Sequence, residues 1–277
     1  MLQLGRKQKL QIVKKVDFGV YLGEEPGAEE RVLLPKKEVP AMAETGMVLE
    51  VFLYKDSRDR LIATTREPKL MMDGVAVLKV KEVAKIGAFL DWGLEKDLLL
   101  PFRQQTRKVR DGEDCLVALY IDKSSRLCAT MKVYNYLRTD SPYQKDDRVT
   151  GTVYEISEEF GVFVAVDNCY SALIPKKEAA GTYRVGDVVQ ARVTEVKEDG
   201  KLDISVREKA YLQQSEDAEA ILEVIREFDG VLPFTDKASP EVIKREFGLS
   251  KNAFKRGVGK LLKDGKIEIT EKSIRLL

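Results

Sequence analysis

Residues 51–64, VFLYKDSRDRLIAT, return at 117–130 as VALYIDKSSRLCAT, with Val, Leu, Tyr, Asp, Arg, Leu, Ala and Thr at equal spacing. The same offset of 66 carries Leu33-Leu34-Pro35 onto Leu99-Leu100-Pro101. A third copy ends in ARVTEVKEDGKLDISV (191–206), and LLPKKE (33–38) recurs as LIPKKE (173–178). Landmarks that share one offset mark a copied structural unit, and this constrains the fold more than any composition does. Upstream in each copy lies a short apolar stretch with glycine second and an aromatic fourth: FGVYL (18–22), IGAFL (86–90) and FGVFV (160–164). Residues two apart in a strand share a face and residues three apart do not. Glycine permits a kink, so Phe18 with Tyr21, and Phe160 with Phe163, are expected to reach one surface.

Each unit reads as a strand, a glycine-aromatic strand, a short strand ending at proline, an irregular link and a final hairpin. Asp199-Gly200 between alternating apolar runs is the clearest hairpin signal. Five short strands in one small unit leave exposed edges unless the sheet closes, and a closed five-stranded sheet of this size is the OB-fold. The expectation is a mainly β chain: three tandem five-stranded OB-fold barrels at 1–70, 71–138 and 146–210. A small α+β domain at 214–277 follows. There the period changes: Ala218, Ile221, Leu222, Ile225 and Phe228 fall on one helical face. Ser239 with Pro240, the stop at Gly248 and the cap at Ser250 frame two more helices. Phe254, Val258, Leu261 and Leu262 form the last apolar face, and the chain ends in a two-stranded ribbon. The polar stretch 135–147, with Pro142, is the expected hinge.

Composition narrows the chemistry. The 277 residues contain no histidine, which removes His-based acid/base catalysis, Ser-His-Asp and Cys-His nucleophiles and most zinc sites. Three cysteines without a CxxC pair do not suggest a disulfide framework. Neither a membrane-length apolar run nor a secretory leader is visible, so a soluble cytoplasmic chain is expected. With a net charge of +1, any nucleic-acid signal must be local. No cofactor, metal or catalytic residue is expected. A metal-dependent nuclease would need clustered carboxylates, and none stands at recognisable spacing.

The third copy, with GTVYEISEEFGVFVAV, SALIPKKE, YRVGDVVQARVTEV and GKLDISVRE, resembles the S1-type RNA-binding domain. The first and second copies resemble it less closely. In all three, proline (Pro35, Pro101, Pro175) stands where that family often has a histidine. The segment after 214, three helices and a hairpin, is similar to a winged helix. That domain order resembles the bacterial conserved virulence factor B family, RNA-binding regulators of gene expression.

The resemblance implies single-stranded RNA as partner. Phe18, Tyr21, Phe160 and Phe163 would stack on bases, although a lone strand aromatic more often fills a core. For the second copy the core reading of Phe89 prevails, with Trp92 as a substitute platform. Lys36 and Lys176 either meet phosphates at the groove rim or solvate the turn after proline. Arg66 and Arg207 either stack on a base while gripping phosphate or pair with the adjacent Glu67 and Glu208. Lys251, Lys255, Arg256 and Lys260 form a helix face without acids, suited to phosphates or to plain solvation. Two rival functions remain: a DNA-binding transcriptional regulator acting through the winged helix, and a protein-interaction scaffold on ribosome or RNA polymerase components.

Overall fold

The computed structural model describes residues 1–179, 181–207 and 210–277, with 210–216 described by their backbone alone. Glu208, the sequence-level partner of Arg207, therefore lies outside the described residues. The chain divides into two compact units, Met1–Val206 and Arg207–Leu277.

The first unit holds the three repeats. In the first, β1 (Lys7–Val16), β2 (Gly19–Gly23), β3 (Val32–Pro35), β4 (Val48–Lys55) and β5 (Leu61–Thr64) close in the order β1-β2-β3-β5-β4. In the second, β6 (Val75–Ala84), β7 (Gly87–Asp91), β8 (Leu98–Pro101), β9 (Asp114–Ile121) and β10 (Leu127–Thr130) run in the same order. Here β8 and β10 lie side by side without ladder hydrogen bonds. In the third, β11 (Arg148–Ser157), β12 (Gly161–Val166), β13 (Tyr170–Pro175), β14 (Val188–Val196) and β15 (Leu202–Ser205) close again, with β13 and β15 parallel.

The repeated glycine and proline face each other. Gly19 pairs with Pro35, Gly87 with Pro101 and Gly161 with Pro175. A Cβ on Gly161 (φ +124°) would stand 2.2 Å from the Ile174 carbonyl oxygen, so only glycine lets the two backbones approach. Gly161→Ala is expected to destabilise the third barrel by about 1–3 kcal/mol, read as a lowered thermal midpoint.

The repeated PKKE has a structural cause as well. A 3-10 turn (Lys36–Glu38) follows β3, and the Glu38 carboxylate accepts from the Thr64 hydroxyl and from the Thr65 backbone N–H at 2.9 Å. Glu178 accepts from Ser205 at 3.0 Å, and Gln104 accepts from Thr130 at 2.8 Å. The acid or amide thus ties each third strand to the end of its fifth.

The barrels are not separate beads. Over residues 190–194 of β14 the buried Ala191 and Val193 alternate with wetter neighbours, as in a strand with one wet face. By contrast Val51, Phe52, Leu53 and Tyr54 of β4 are all buried in succession, as are Cys115 to Leu119 of β9. Their outward faces are covered by neighbours. Phe52 and Tyr54 join the core of the second repeat with Trp92. Leu116 and Ala118 join Val133, Leu137, Tyr154 and Ala165 in a cluster between the second and third. The stretch 135–147, expected to be a hinge, instead lies against the third barrel. The Arg138 N–H donates to Cys169 O at 2.8 Å, its carbonyl accepts from Ser171 N at 2.9 Å, and Tyr143 packs edge-on to Tyr170.

In the second unit α1 (Ala210–Glu227), α2 (Pro240–Phe247) and α3 (Lys251–Lys263) precede a sheet ordered β16 (Val231–Leu232), β18 (Ile274–Leu276), β17 (Ile267–Ile269). The first of these strands was not expected. The caps form as the residues predict: Ser239 Oγ accepts from Val242 N, Ser250 Oγ from Ala253 N, and Gly248 adopts φ +67°. Two expected core positions are exposed instead: Phe228 falls past the end of α1, and Leu262 sits beside the buried Leu261. Gly257, which costs helix propensity, is buried where α3 crosses α1. A Cβ there would lie 2.5 Å from Ile221 Cδ1.

Candidate nucleic-acid interface

On the third barrel Phe160 occupies the turn between β11 and β12 and is 55% exposed. Phe163 is half-buried on β12. Their centroids lie 6.5 Å apart. Gly161, between the two rings, carries the expected kink with φ +124°, while the register shift of this strand pair falls on β11, between Val153 and Glu155. Phe160 is fixed by its own backbone: its carbonyl accepts from Lys176 N at 3.0 Å, which also sets the exposed Lys176 beside the ring's base.

These rings border a groove of about 590 Å³, whose lining includes Tyr134, Ser171, Lys197 and Lys201. Lys197 pairs with Asp203 at 2.8 Å and Lys201 with Asp199 at 2.7 Å, so each cation of the lining is held in place by an acid. Tyr134 was not singled out from sequence. A second hollow, about 630 Å³, is slightly larger and is lined by Tyr143, Lys145, Thr194 and Glu195. The aromatic groove also carries mixed charge, with Glu155 and Asp199 beside its two lysines, but it presents three rings where this hollow presents one, so it is the better candidate.

The first barrel repeats the arrangement. Phe18 is 58% exposed and stands edge-on to Tyr21 at 6.5 Å. Lys36 is exposed after the proline, and its N–H donates to Phe18 O at 3.0 Å. Arg66 is exposed with Nε 3.5 Å from Glu38, and the neighbouring Lys37 pairs with Glu95 of the second repeat.

The second repeat differs. Trp92 is 2% exposed, stands edge-on to Phe52 (5.8 Å) and Tyr54 (6.4 Å), and donates from Nε1 to Lys96 O at 2.6 Å. It is a seam residue, and its faces are closed to bases, contrary to expectation. Phe89 is half-buried in a smaller hollow of about 320 Å³ that Tyr54, Ser57 and Asp59 of the first barrel help to wall. Asp59 takes the two cations there, Arg126 at 2.5 Å and Lys96 at 3.5 Å. The hairpin between β4 and β5 thus lies over this wall. At the proline corner Phe102, 50% exposed, stands where the other copies have lysine.

Cys115 and Cys128 are buried, and burial pushes both thiols up to about 11, leaving them protonated and inert at neutral pH. In the second unit Lys255 and Arg256 are exposed on α3, Lys251 is partly so, and Lys260 is 3.6 Å from Asp264. Arg207 is exposed at the start of that unit. Among the described residues no helix is long and apolar enough to cross a membrane, and no group of three His, Cys, Asp or Glu side chains is placed to hold a metal.

Three family descriptions match the chain. The S1 domain matches residues 4–66 and 75–132, the second domain of virulence regulatory factor CvfB matches 134–208, and the CvfB-like winged helix domain matches 219–276. The S1 match therefore falls on the two repeats expected to resemble that domain less closely, and the third, expected to resemble it best, is matched instead by the CvfB second-domain description. The chain is 32% identical over 280 residues to the uncharacterized protein YitL of Bacillus subtilis, covering 95% of this chain and 90% of that one. It is 29% identical over 245 residues to conserved virulence factor B of Staphylococcus aureus, covering 83% and 81%. A crystal structure of a multidomain protein with nucleic acid binding domains from Streptococcus pneumoniae aligns at TM-score 0.49 and 25% identity, over 99% of this chain and 98% of that one.

Proposed function

The chain belongs to the conserved virulence factor B family, and on that premise we propose that it is a non-enzymatic protein that binds single-stranded RNA and regulates gene expression after transcription, in the cytoplasm. The observation that carries this reading is the exposed Phe160 with the half-buried Phe163 beside it, on a groove whose lining includes Lys197 and Lys201. Rings left in water at the mouth of a groove are sequence-tolerant stacking platforms, and nearby ammonium groups meet the backbone phosphates. Phe18 and Tyr21, with Lys36 and Arg66, form a second platform on the first barrel. Because the second repeat is walled by its neighbour, two open faces act in tandem in place of three. Each binds weakly, and their fixed linkage raises the effective concentration of the second. The domain limits 1–70, 71–138, 146–210 and 214–277 belong to the same proposal.

The exposed Lys255 and Arg256 favour a further phosphate contact from α3, to RNA or to DNA. Fluorescence anisotropy separates the readings. Labelled single-stranded RNA should bind the full chain, and unlabelled duplex DNA of matched length should compete poorly. The logarithm of affinity should fall only gently with the logarithm of salt, because the slope is roughly −0.7 per phosphate contacted and each face offers only a few cations. Duplex DNA competing as well as RNA would favour the DNA-binding regulator. No binding to either would favour the scaffold on ribosome or RNA polymerase components.

A further inference from the structure

We propose that Tyr134, supplied by the segment between the second and third barrels, is a base-stacking residue of the third barrel's groove. An unpaired nucleobase is then held against three rings and not two. The inference rests on the RNA-binding reading above and adds a residue to its site.

Tyr134 is 43% exposed although both sides of its segment are buried: Val133 is at 0% and Leu137 at 8%. A chain that only needed to pass between barrels would gain nothing by presenting a large ring to water there. The ring lines the groove and stands edge-on to Phe163, with centroids 6.1 Å apart and planes at 85°. Phe163 in turn meets Phe160 at 6.5 Å. The three rings are therefore contiguous, with Phe163 in the middle. Lys201 Nζ lies over the Tyr134 ring, 5.8 Å from its centroid, so a cation is held next to the ring.

The backbone that carries the ring is tied down on both sides. Tyr134–Tyr136 form a 3-10 turn closed by Tyr136 N donating to Val133 O at 2.9 Å. Arg138 then bridges to Tyr170 of β13, which ties the segment's far end to the barrel. Holding a ring in its binding position during folding removes an ordering cost at the moment of binding. The groove, about 590 Å³, falls within the roughly 300–1,000 Å³ range typical of small-ligand sites, enough for a nucleotide. The competing explanation is that Tyr134 merely shields Phe163 from water. It predicts a change in stability and none in RNA contact.

The test uses the full chain and a short single-stranded RNA carrying 2-aminopurine, whose fluorescence is quenched on stacking. Tyr134→Ala should weaken binding roughly 5- to 100-fold and reduce the quenching, whereas Tyr134→Phe should stay within about twofold of the parent. Tyr134→Leu keeps an apolar side chain over Phe163. It should retain the thermal midpoint and still bind like the alanine variant. If Tyr134→Ala and Tyr134→Leu bind like the parent while Phe160→Ala binds more weakly, this proposal fails and the RNA-binding reading stands. If Phe160→Ala and Phe163→Ala are also without effect, both fail. A loss in Tyr134→Phe as large as in Tyr134→Ala would overturn stacking as the role.

Discussion

Trp92→Ala is expected to lower the stability of the barrel unit by about 3–5 kcal/mol, the range for truncating a large buried aromatic, and to leave RNA affinity nearly unchanged at temperatures where the chain is folded. The indole is 2% exposed and packs edge-on against Phe52 and Tyr54 of the first barrel while sitting in the second. Each such ring pair adds about 0.5–1.5 kcal/mol beyond the area it buries. The loss would be a large part of the roughly 5–15 kcal/mol that holds a domain folded. Truncation also leaves the Lys96 carbonyl without its indole donor. Denaturant titration of the full chain, followed by far-ultraviolet circular dichroism, measures the effect. If Trp92 were instead a base platform, the variant would keep its midpoint and lose RNA affinity. The same seam gives a pH signature. Burial pushes the Tyr54 hydroxyl up to about 12 from an ordinary value near 10. The folded chain therefore holds this proton more tightly than the unfolded chain does, so the contribution is intact below pH 10 and declines as pH rises toward 12.

The double variant Phe160→Ala/Phe163→Ala should lose about 2–4 kcal/mol of RNA affinity, roughly 30- to 1,000-fold. Stacking on one ring contributes about 1–3 kcal/mol per base. These rings touch, so their effects are coupled and the sum of two single losses is an upper limit. Phe163 also packs on Tyr154 at 6.0 Å, and removing it disturbs the wall itself. Phe163→Leu, which keeps most of the volume, should retain the fold and show most of the single-site loss. Measured affinities within a factor of two of the parent would leave the third barrel without a binding role.

Much of the fold is legible in the residues because the repeat is a record of backbone geometry. Gly161 and Pro175 recur as Gly19 and Pro35 and as Gly87 and Pro101 since each pair meets at one strand crossing, where a Cβ on the glycine would strike a carbonyl oxygen. Helix caps at Ser239 and Ser250 are equally local, and they form as read. What sequence reasoning missed is what depends on neighbours. Trp92 reads as a spare platform only if each barrel stands alone. Its burial is decided by Phe52, a residue of another repeat. A signal was present: VFLY (51–54) and CLVAL (115–119) are continuous apolar runs, and a strand with one wet face alternates, as in QARVT (190–194). Those runs say that the outer faces of β4 and β9 are covered. Tyr134 carries weaker marks. It follows an apolar Val in VYNYL (133–137), immediately before the polar stretch 135–147 that reads as a linker. Glu38 and Glu178 hide in plain sight after the lysines, which draw attention as phosphate ligands. The structure assigns the glutamates the structural part, tying strands through Thr64 and Ser205.

Zero-length ultraviolet cross-linking of uridine-rich single-stranded RNA to the full chain, followed by mass-spectrometric mapping of the adducts, asks where the bases touch. The account predicts adducts on the peptides that contain Tyr134, Phe160 and Phe163, a second set on those that contain Phe18 and Tyr21, and none at Trp92. Adducts confined to α3, or spread over the barrels without preference for the exposed rings, would contradict it.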